Sequence, residues 1–283
     1  MSERLRVSEA TGLLLFLNTQ LKRWARNTIK QRLKAGCVFV NARPITQYDH
    51  ELKAGDEVEV RAAVKNMHRE TSQLEILYSD SDLIAINKPA GLLSVASADE
   101  NKYHALAILR NQLSRPKRPV KLWPVHRLDR DTSGVLLFAT SREMREAVNA
   151  GWSGAEKIYL VIVEGCPNPS QGSIDQPLRM DSDKYHMNVG PHPEAKNAVT
   201  HFDTQRTVTD RALLEVQLET GRQHQIRAHM AWLGHPVIGD PRYGTDGPRM
   251  GLHALRLSIT RPNTGNRLTF ETPAPGEFLD LLQ

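Results

Sequence analysis

The sequence contains only two cysteines, Cys37 and Cys166, among its 283 residues. They lie far apart and outside any C-x-x-C pair, so the sequence supports neither a disulfide framework nor a cysteine zinc site. We expect both to be small buried apolar side chains, which is the usual situation of a free cysteine.

Long hydrophobic runs are also lacking. The apolar run near the N-terminus, Leu13 to Leu17, is too short for a signal-peptide core or a membrane span. Hydrophobic content of 40% and charged content of 24% exclude wholesale disorder. Because a domain averages roughly 150 residues, we expect two domains. We also expect a cytosolic monomer with no membrane partner.

The formal net charge of +5 is unevenly distributed. Residues 1–66 carry twelve basic and seven acidic side chains, whereas residues 67–283 carry 25 of each. The whole positive excess therefore lies in the first quarter of the chain, where it favours an acidic partner.

A basic helix is predicted in this first quarter, from Asn27 to Ala35, with Ile29 and Leu33 on one face and Gly36 as a stop. Positive side chains follow the other face at spacings of three and four, and they include Arg26, Lys30 and Lys34. A β-prone run, a turn and a second strand follow up to Val60. On these residues alone, a merely solvated basic face is an equal alternative.

The stretch from Leu13 to Val60 resembles an S4 RNA-binding domain, through R-N-T-I-K-Q-R-L-K-A-G-C-V-F-V-N-A-R-P and L-K-A-G-D-E-V-E-V. The resemblance implies that Arg26, Lys30 and Lys34 contact RNA phosphates. We expect an S4-like RNA-binding domain over residues 1–63, a linker over 64–73 and a catalytic domain over 74–283.

The second domain is predicted to be α+β with a mostly antiparallel mixed sheet. Short apolar runs recur between turn signals, for example Leu83 to Ile86, Val135 to Ala139 and Leu252 to Ile259. Helical patterns near 104–113, 142–151 and 223–233 do not alternate regularly with them, as a doubly wound parallel sheet would require.

A charged loop leads into one of these strands. Residues 126–134 read H-R-L-D-R-D-T-S-G, after a basic stretch from Asn101 to Arg127 that has no Asp or Glu. A carboxylate beside arginines at the start of a buried strand can serve as a nucleophile. Ordinary ion pairs within a loop are the alternative on these residues alone.

Three histidines near a predicted helix at Gln223–Leu233 suggest a metal site at first sight. His224 and His229 are five residues apart and so lie on different helix faces, and no H-E-x-x-H motif occurs. We therefore expect hydrogen bonding rather than metal binding. Arg227, one turn inside the helix, is placed to pair with a buried carboxylate.

Several motifs together resemble the RluA-type pseudouridine synthases. They are N-K-P-A-G-L at 87–92, H-R-L-D-x-x-T-S-G at 126–134, Lys157-x-Tyr159, T-G-R-x-H-Q-I-R-x-H at 220–229, and G-D-P-x-Y-G at 239–244. Their order and spacing agree over about 75–275.

The resemblance implies isomerisation of uridine in RNA to pseudouridine, without a cofactor or a metal. It implies that Asp129 is the catalytic nucleophile, toward either the ribose or the base. It also implies that Tyr159 stacks on the extracted base and helps to remove the C5 proton, that Arg227 pairs with the aspartate, and that Arg127 enters the RNA stack. Asp131 falls at a variable position and is expected to be a surface charge.

Structured RNA is the expected partner, with ribosomal RNA favoured over transfer RNA because an added S4-like domain suits a large folded substrate. A catalytically silent S4-type RNA-binding or ribosome-assembly factor is the alternative. A metal-dependent nuclease is a third alternative, but the sequence lacks the carboxylate cluster that such an enzyme would need.

Overall fold

The computed structural model describes residues 3–34, 37–41, 43–45, 47–48, 50–60, 73–97, 100, 103–116, 118–183 and 185–283. The chain divides into two compact units, Met1–Ser72 and Gln73–Gln283. Each unit has hydrophobic core clusters of its own. The predicted linker, apart from Gln73, lies outside the described residues.

The N-terminal unit packs two helices against a small antiparallel sheet with strand order β1-β6-β3-β4. A further strand pair, β2 with β5, lies outside that sheet. The elements are β1 Glu3–Arg6, β2 Thr11–Gly12, α1 Leu13–Gln20, α2 Arg26–Lys34, β3 Val38–Val40, β4 Arg43–Pro44, β5 Glu51–Leu52 and β6 Glu57–Val60.

Helix α2 follows the amphipathic pattern of the sequence. Ile29 and Leu33 are buried in the core of the unit, whereas Arg26 and Lys30 are exposed. The Lys34 side chain, together with Ala35 and Gly36, lies outside the described residues.

The second unit is built on a ten-stranded sheet in which only β10 and β17 pair in parallel among the described pairs. This arrangement confirms the predicted α+β fold with a mostly antiparallel mixed sheet. The main strand order is β12-β15-β16-β11-β17-β10-β8-β7, with β18 beside β17 and β9 beside β10.

The strands of this unit are β7 Glu75–Ser79, β8 Leu83–Lys88, β9 Trp123–Pro124, β10 Ser133–Ala139, β11 Glu156–Glu164, β12 Gln171–Asp175, β13 Leu178–Asp181, β14 His186–Val189, β15 Val199–Val208, β16 Arg211–Leu218, β17 Leu252–Thr260 and β18 Arg267–Glu271. Strands β13 and β14 form a separate hairpin. The helices are α3 Ala105–Leu113, α4 Arg142–Ala150, α5 Gln225–Trp232 and α6 Gly276–Leu279.

Helix α5 begins two residues later than predicted. His224, its N-terminal neighbour, adopts a left-handed backbone with φ of 51° and ψ of 19°, so the helix cannot extend back to Gln223. The helix ends at Trp232, close to the predicted Leu233.

Strand β10 fixes the loop that precedes it. All seven of its residues are buried, as expected for a central strand with both faces covered. Gly134 has φ of +112°, and a Cβ atom there would lie 2.2 Å from the Ala254 carbonyl oxygen in β17. Only glycine therefore permits this close parallel approach.

The cysteine prediction is right for one residue and wrong for the other. Cys37 is buried, whereas Cys166 is exposed, because it lies in the turn that follows β11 rather than in a strand. No described helix is long and apolar enough to cross a membrane.

Candidate active site

The loop between β9 and β10 carries Asp129, and polar contacts hold it on both sides. The Leu128 backbone is fixed by Ser94, whose Oγ donates to the Leu128 carbonyl at 2.7 Å and accepts from the Leu128 N–H at 3.0 Å. The backbone just before Asp129 is thus fixed, and 27% of the Asp129 side chain is exposed.

Lys88 also contacts this loop, at the Arg130 carbonyl. Its buried Nζ donates to the carbonyls of Leu92 at 2.7 Å, Pro89 at 3.0 Å and Arg130 at 3.0 Å. Burial lowers the pKa of Lys88 to about 7, against the opposing effect of the Asp131 and Asp129 charges. Three carbonyl acceptors match the three protons of an ammonium group.

A carboxylate–guanidinium–carboxylate arrangement forms the centre of the site. Arg227 donates through Nη1 to Asp129 Oδ2 at 2.9 Å. Its Nε and Nη2 reach the two oxygens of Asp240 at 2.6 and 2.8 Å. The bidentate contact with Asp240 fixes the plane of the guanidinium and so aims its remaining nitrogen at Asp129.

The buried pair stays charged. Burial opposes the charge on Arg227, but its hydrogen bonds and charge contacts with Asp240 and Asp129 outweigh this effect and raise the pKa. Burial likewise opposes ionisation of Asp240, but its carboxylate accepts hydrogen bonds from Arg227 and from the backbone N–H groups of Arg242 and Tyr243, and these, with the Arg227 charge, lower its pKa.

The two oxygens of Asp129 differ. Oδ2 accepts from Arg227, whereas Oδ1 accepts no hydrogen bond from any described residue. A carboxylate held by one oxygen leaves the other available as a nucleophile.

Tyr159 enters the same cleft from β11. The pairing of β11 with β17 shifts register between Ile158 and Tyr159, and such bulges commonly re-aim a side chain beside a site. Burial, and then the Asp129 charge, raise the pKa of Tyr159. Lys157, two residues earlier, also lines the cleft and has a 5.9 Å cation–π contact with Trp152.

The cleft has a volume of about 1250 Å³ and is open and strongly cationic. Among the described residues, two acidic side chains line it, Asp129 and Asp131. The cationic ones are Arg127, Arg130, Arg145, Lys157, Arg222, Arg227 and Arg242. Such a wall attracts a polyanion.

Arg127 and Asp131 are both exposed but differ in their surroundings. Arg127 lines the cleft, and its side chain makes no ion pair or hydrogen bond with another described residue. Asp131 has a side chain 60% exposed, and its carboxylate lies 4.0 Å from Arg130, as expected for a surface charge.

The histidines make hydrogen bonds, as the sequence indicated. His229 contacts Thr200 Oγ1 at 2.8 Å and the Gln176 carbonyl at 3.0 Å. Within the described part of the chain, no group of three or more His, Cys, Asp or Glu side chains is placed to hold a metal ion.

The structure thus brings Asp129, Tyr159, Arg227 and Arg127 together around one cleft. Arg26, Lys30 and Lys34 belong to α2 of the N-terminal unit. Sequence reasoning missed Lys88 and Asp240 as site residues, and for His224 it predicted hydrogen bonding without a place at the nucleophile. Lys88 and Asp240 stand inside the quoted N-K-P and G-D-P motifs, and this position was the signal that could have identified them.

Comparison with known proteins finds relatives of this chain. A family model described as RNA pseudouridylate synthase matches residues 82–232. The human protein RNA pseudouridylate synthase domain containing 4 superposes with a TM-score of 0.60 at 27% identity, over 72% of this chain and 90% of its own.

Two bacterial relatives extend the match. The ribosomal large subunit pseudouridine synthase D of Vibrio cholerae is 30% identical over 91% of this chain and 86% of its own length. The tRNA pseudouridine synthase C of Haemophilus ducreyi is 37% identical over 70% of this chain and 89% of its own length. The chain therefore belongs to the RNA pseudouridine synthase family and is an isomerase that acts on RNA.

Proposed function

We propose that this pseudouridine synthase uses Asp129 as its nucleophile on a uridine of ribosomal RNA. The observation that carries the assignment is the asymmetry of Asp129 in a cationic cleft: Arg227 holds Oδ2 while Oδ1 is open to a ligand. The target must be extruded from its stack to reach Oδ1, at a cost of a few kcal/mol.

The reaction needs no water and no external group. Oδ1 forms a covalent bond with the nucleoside, either at ribose C1′ or at the base. The glycosidic C1′–N1 bond breaks, the uracil turns, a new bond forms between C1′ and C5, and the bond between Oδ1 and the nucleoside breaks. Loss of the C5 proton and protonation of N1 complete an isomerisation in which Asp129 is regenerated.

Tyr159 supports this chemistry mainly as a platform. Its raised pKa means that the phenol stays protonated at neutral pH, which disfavours removal of the C5 proton by a phenolate. Stacking of a flat uracil on the ring remains favourable. We assign Arg127 to the space that the extruded nucleotide leaves, because its guanidinium lies at the cleft wall without a partner among the described side chains.

The preference for ribosomal RNA rests on the extent of the two bacterial matches. The large-subunit relative aligns with 91% of this chain, whereas the tRNA relative aligns with 70%. The second unit, Gln73–Gln283, alone makes up about three-quarters of the chain. The match to the large-subunit relative must therefore reach well into the N-terminal unit, whereas the match to the tRNA relative need not. We propose that this unit is S4-like and that Arg26, Lys30 and Lys34 contact RNA phosphates.

Asp129→Asn tests the nucleophile. The variant keeps the size of the side chain but cannot attack, so tritium release from RNA labelled at uridine C5 should fall to background. RNA affinity should stay within a few-fold of wild type, because phosphates are bound by cationic side chains and not by a carboxylate. Asp131→Asn removes one charge two residues away and should retain turnover.

Retained turnover in Asp129→Asn would refute the assignment. The RNA target is tested by mapping pseudouridine in all cellular RNA with the gene present, deleted, or replaced by the Asp129→Asn allele. We expect a ribosomal RNA site to be lost in the last two. Loss of tRNA sites alone would contradict the preference, and full function of the Asp129→Asn allele would favour a silent RNA-binding factor.

A further inference from the structure

His224 stands beside the nucleophile in an unusual backbone conformation. Its φ of 51° lies in the left-handed region, which most residues other than glycine avoid. Strained residues cluster at functional sites, where the surroundings hold them in place. Its side chain is only 8% exposed, yet it lines the cleft.

Tyr243 fixes the protonation of the His224 ring. The Tyr243 hydroxyl oxygen accepts the Met187 backbone N–H at 2.8 Å and lies 3.0 Å from His224 Nδ1. No other acceptor for the hydroxyl proton occurs among the described residues, so the hydroxyl donates to Nδ1. The hydrogen of the neutral ring therefore sits on Nε2.

The neutral form is the stable one at pH 7. Burial, with the positive charges of Arg227 and Arg242, lowers the pKa of His224 to about 4, against the opposing charges of Asp129 and Asp240. Nε2–H is thus a fixed donor.

This donor has no close partner in the described chain. Nε2 lies 3.8 Å from Asp129 Oδ2, too far for a hydrogen bond, and Arg227 already occupies that oxygen at 2.9 Å. A fixed donor that faces a ligand cleft, unpaired within the described chain, is placed to meet an acceptor on the ligand.

The stereochemistry of a nucleoside identifies this acceptor. In uridine the base and the 2′-hydroxyl lie on opposite faces of the ribose ring. A nucleophile that displaces the base at C1′ approaches from the face that carries O2′, on the neighbouring carbon. A donor beside the Asp129 carboxylate therefore meets O2′.

We propose that His224 Nε2–H donates a hydrogen bond to the 2′-hydroxyl of the target uridine. The contact rests on the proposed function, with Asp129 attacking the ribose. It would make His224 a substrate-contacting residue that places C1′ against Asp129 and selects ribose over deoxyribose, since a site built for a hydroxyl rejects an analogue that lacks it.

The test compares two RNAs that differ only at the target, uridine or 2′-deoxyuridine. Their dissociation constants are measured with Asp129→Asn enzyme, which removes turnover, and with Asp129→Asn/His224→Asn. Asparagine tolerates the left-handed backbone but is too short to reach O2′. A third protein, Asp129→Asn/His224→Gln, places an amide N–H near the position of Nε2.

We expect the single variant to bind the uridine RNA roughly tenfold tighter than the deoxyuridine RNA, as for a net hydrogen bond of about 1.4 kcal/mol. The His224→Asn protein should bind both equally, and His224→Gln should recover part of the preference. A merely structural role would weaken both RNAs alike.

A preference that survives His224→Asn, or no preference in the single variant, would overturn the proposal. Either result leaves the nucleophile assignment standing, because that assignment depends on tritium release alone. Tritium release by Asp129→Asn would instead refute the proposed function.

Discussion

Asp240 illustrates how one buried residue can govern an active site that it does not line. Its side chain has no exposed surface, and both carboxylate oxygens contact Arg227. Removing one partner of a buried ion pair leaves an uncompensated charge, which typically costs 3–5 kcal/mol. The cost here falls at the lower end, because Asp129 still accompanies Arg227.

We therefore predict that Asp240→Asn lowers the free energy of unfolding by about 3 kcal/mol and reduces kcat/KM by at least about tenfold. Urea denaturation and single-turnover tritium release measure the two effects. Asp131→Asn is the control with the same change in charge, and it should alter neither by much. Unchanged stability in Asp240→Asn would contradict the role assigned to the buried pair.

Arg227→Lys separates charge from geometry. Lysine keeps the positive charge but cannot contact Asp240 through two nitrogens and Asp129 through a third. We predict a fall in kcat of about a hundredfold, because Asp129 loses its orientation, with a smaller change in KM. Steady-state kinetics decide: a KM effect without a kcat effect would show that Arg227 binds RNA instead.

Lys88 gives a pH dependence of known sign. Burial lowers its pKa to about 7, whereas an unfolded lysine titrates near 10.4. Between these values the unfolded chain binds more protons, so the free energy of unfolding rises with pH. We predict a rise of about 2 kcal/mol from pH 7 to pH 9 in wild type relative to Lys88→Met.

The comparison of Lys88→Met with wild type by urea unfolding cancels the titration of other groups. A difference that stays constant between pH 7 and pH 9 would show that Lys88 remains protonated throughout. In that case the three carbonyl acceptors would outweigh its burial.

Asp129 and Arg227 could be identified from their sequence motifs, whereas Asp240 and His224, which stand in the quoted motifs too, were not recognised because their roles depend on tertiary contacts. Asp129 and Arg227 lie 98 positions apart, yet two motifs indicated both residues and their pairing. The left-handed backbone of His224 leaves no pattern in the sequence, because tertiary contacts such as the one with Tyr243 maintain it. Asp240 resembles any turn aspartate until its burial is known.

At the scale of elements, the passage from the Asp129 loop into β10 depends on Gly134. A Cβ at this position would lie 2.2 Å from the Ala254 carbonyl oxygen, so Gly134→Ala must push β10 and β17 apart. Gly265 also has positive φ, at +72°, but has open space around it. Comparing alanine substitutions at these two glycines therefore separates the effect of a steric clash from that of backbone strain.

We predict that Gly134→Ala destabilises the protein by more than about 3 kcal/mol, whereas Gly265→Ala costs about 1 kcal/mol. Thermal and urea unfolding of the two variants provide the measurement. Equal losses would mean that only the backbone conformation matters and that the strand pair can yield.

The strands of the second unit were largely predictable because they bury continuous apolar runs. Val135 to Ala139 and Leu252 to Ile259 lie within β10 and β17, as their composition indicated. The hairpin β13–β14 was missed, since its strands are short and half-polar and acquire their shape from contacts such as that of Met187 N–H with Tyr243. Pairing partners were likewise beyond reach, because the parallel β10–β17 contact joins residues about 120 positions apart.

At the scale of the whole molecule, the two units differ in net charge. The catalytic unit is nearly neutral in sum but concentrates positive side chains around Asp129, and the N-terminal unit carries the net excess. Arg26 and Lys30 lie exposed on α2. If they and Lys34 contact phosphates, each contact releases counterions and adds about 0.7–0.9 to the slope of affinity against salt on logarithmic axes.

We predict that Arg26→Gln/Lys30→Gln/Lys34→Gln weakens RNA binding and reduces the magnitude of this slope by about 2.

The control, Arg142→Gln/Arg256→Gln/Arg267→Gln, removes the same net charge from residues whose charges are already paired with Glu146, Glu271 and Glu156. Its slope should change by less than about 0.5, since paired charges release few counterions. Dissociation constants measured between 50 and 200 mM salt, a range over which phosphate contacts weaken binding strongly, distinguish the two. Equal slopes in the two triple variants would mean that overall charge attracts the RNA and that α2 makes no particular phosphate contacts.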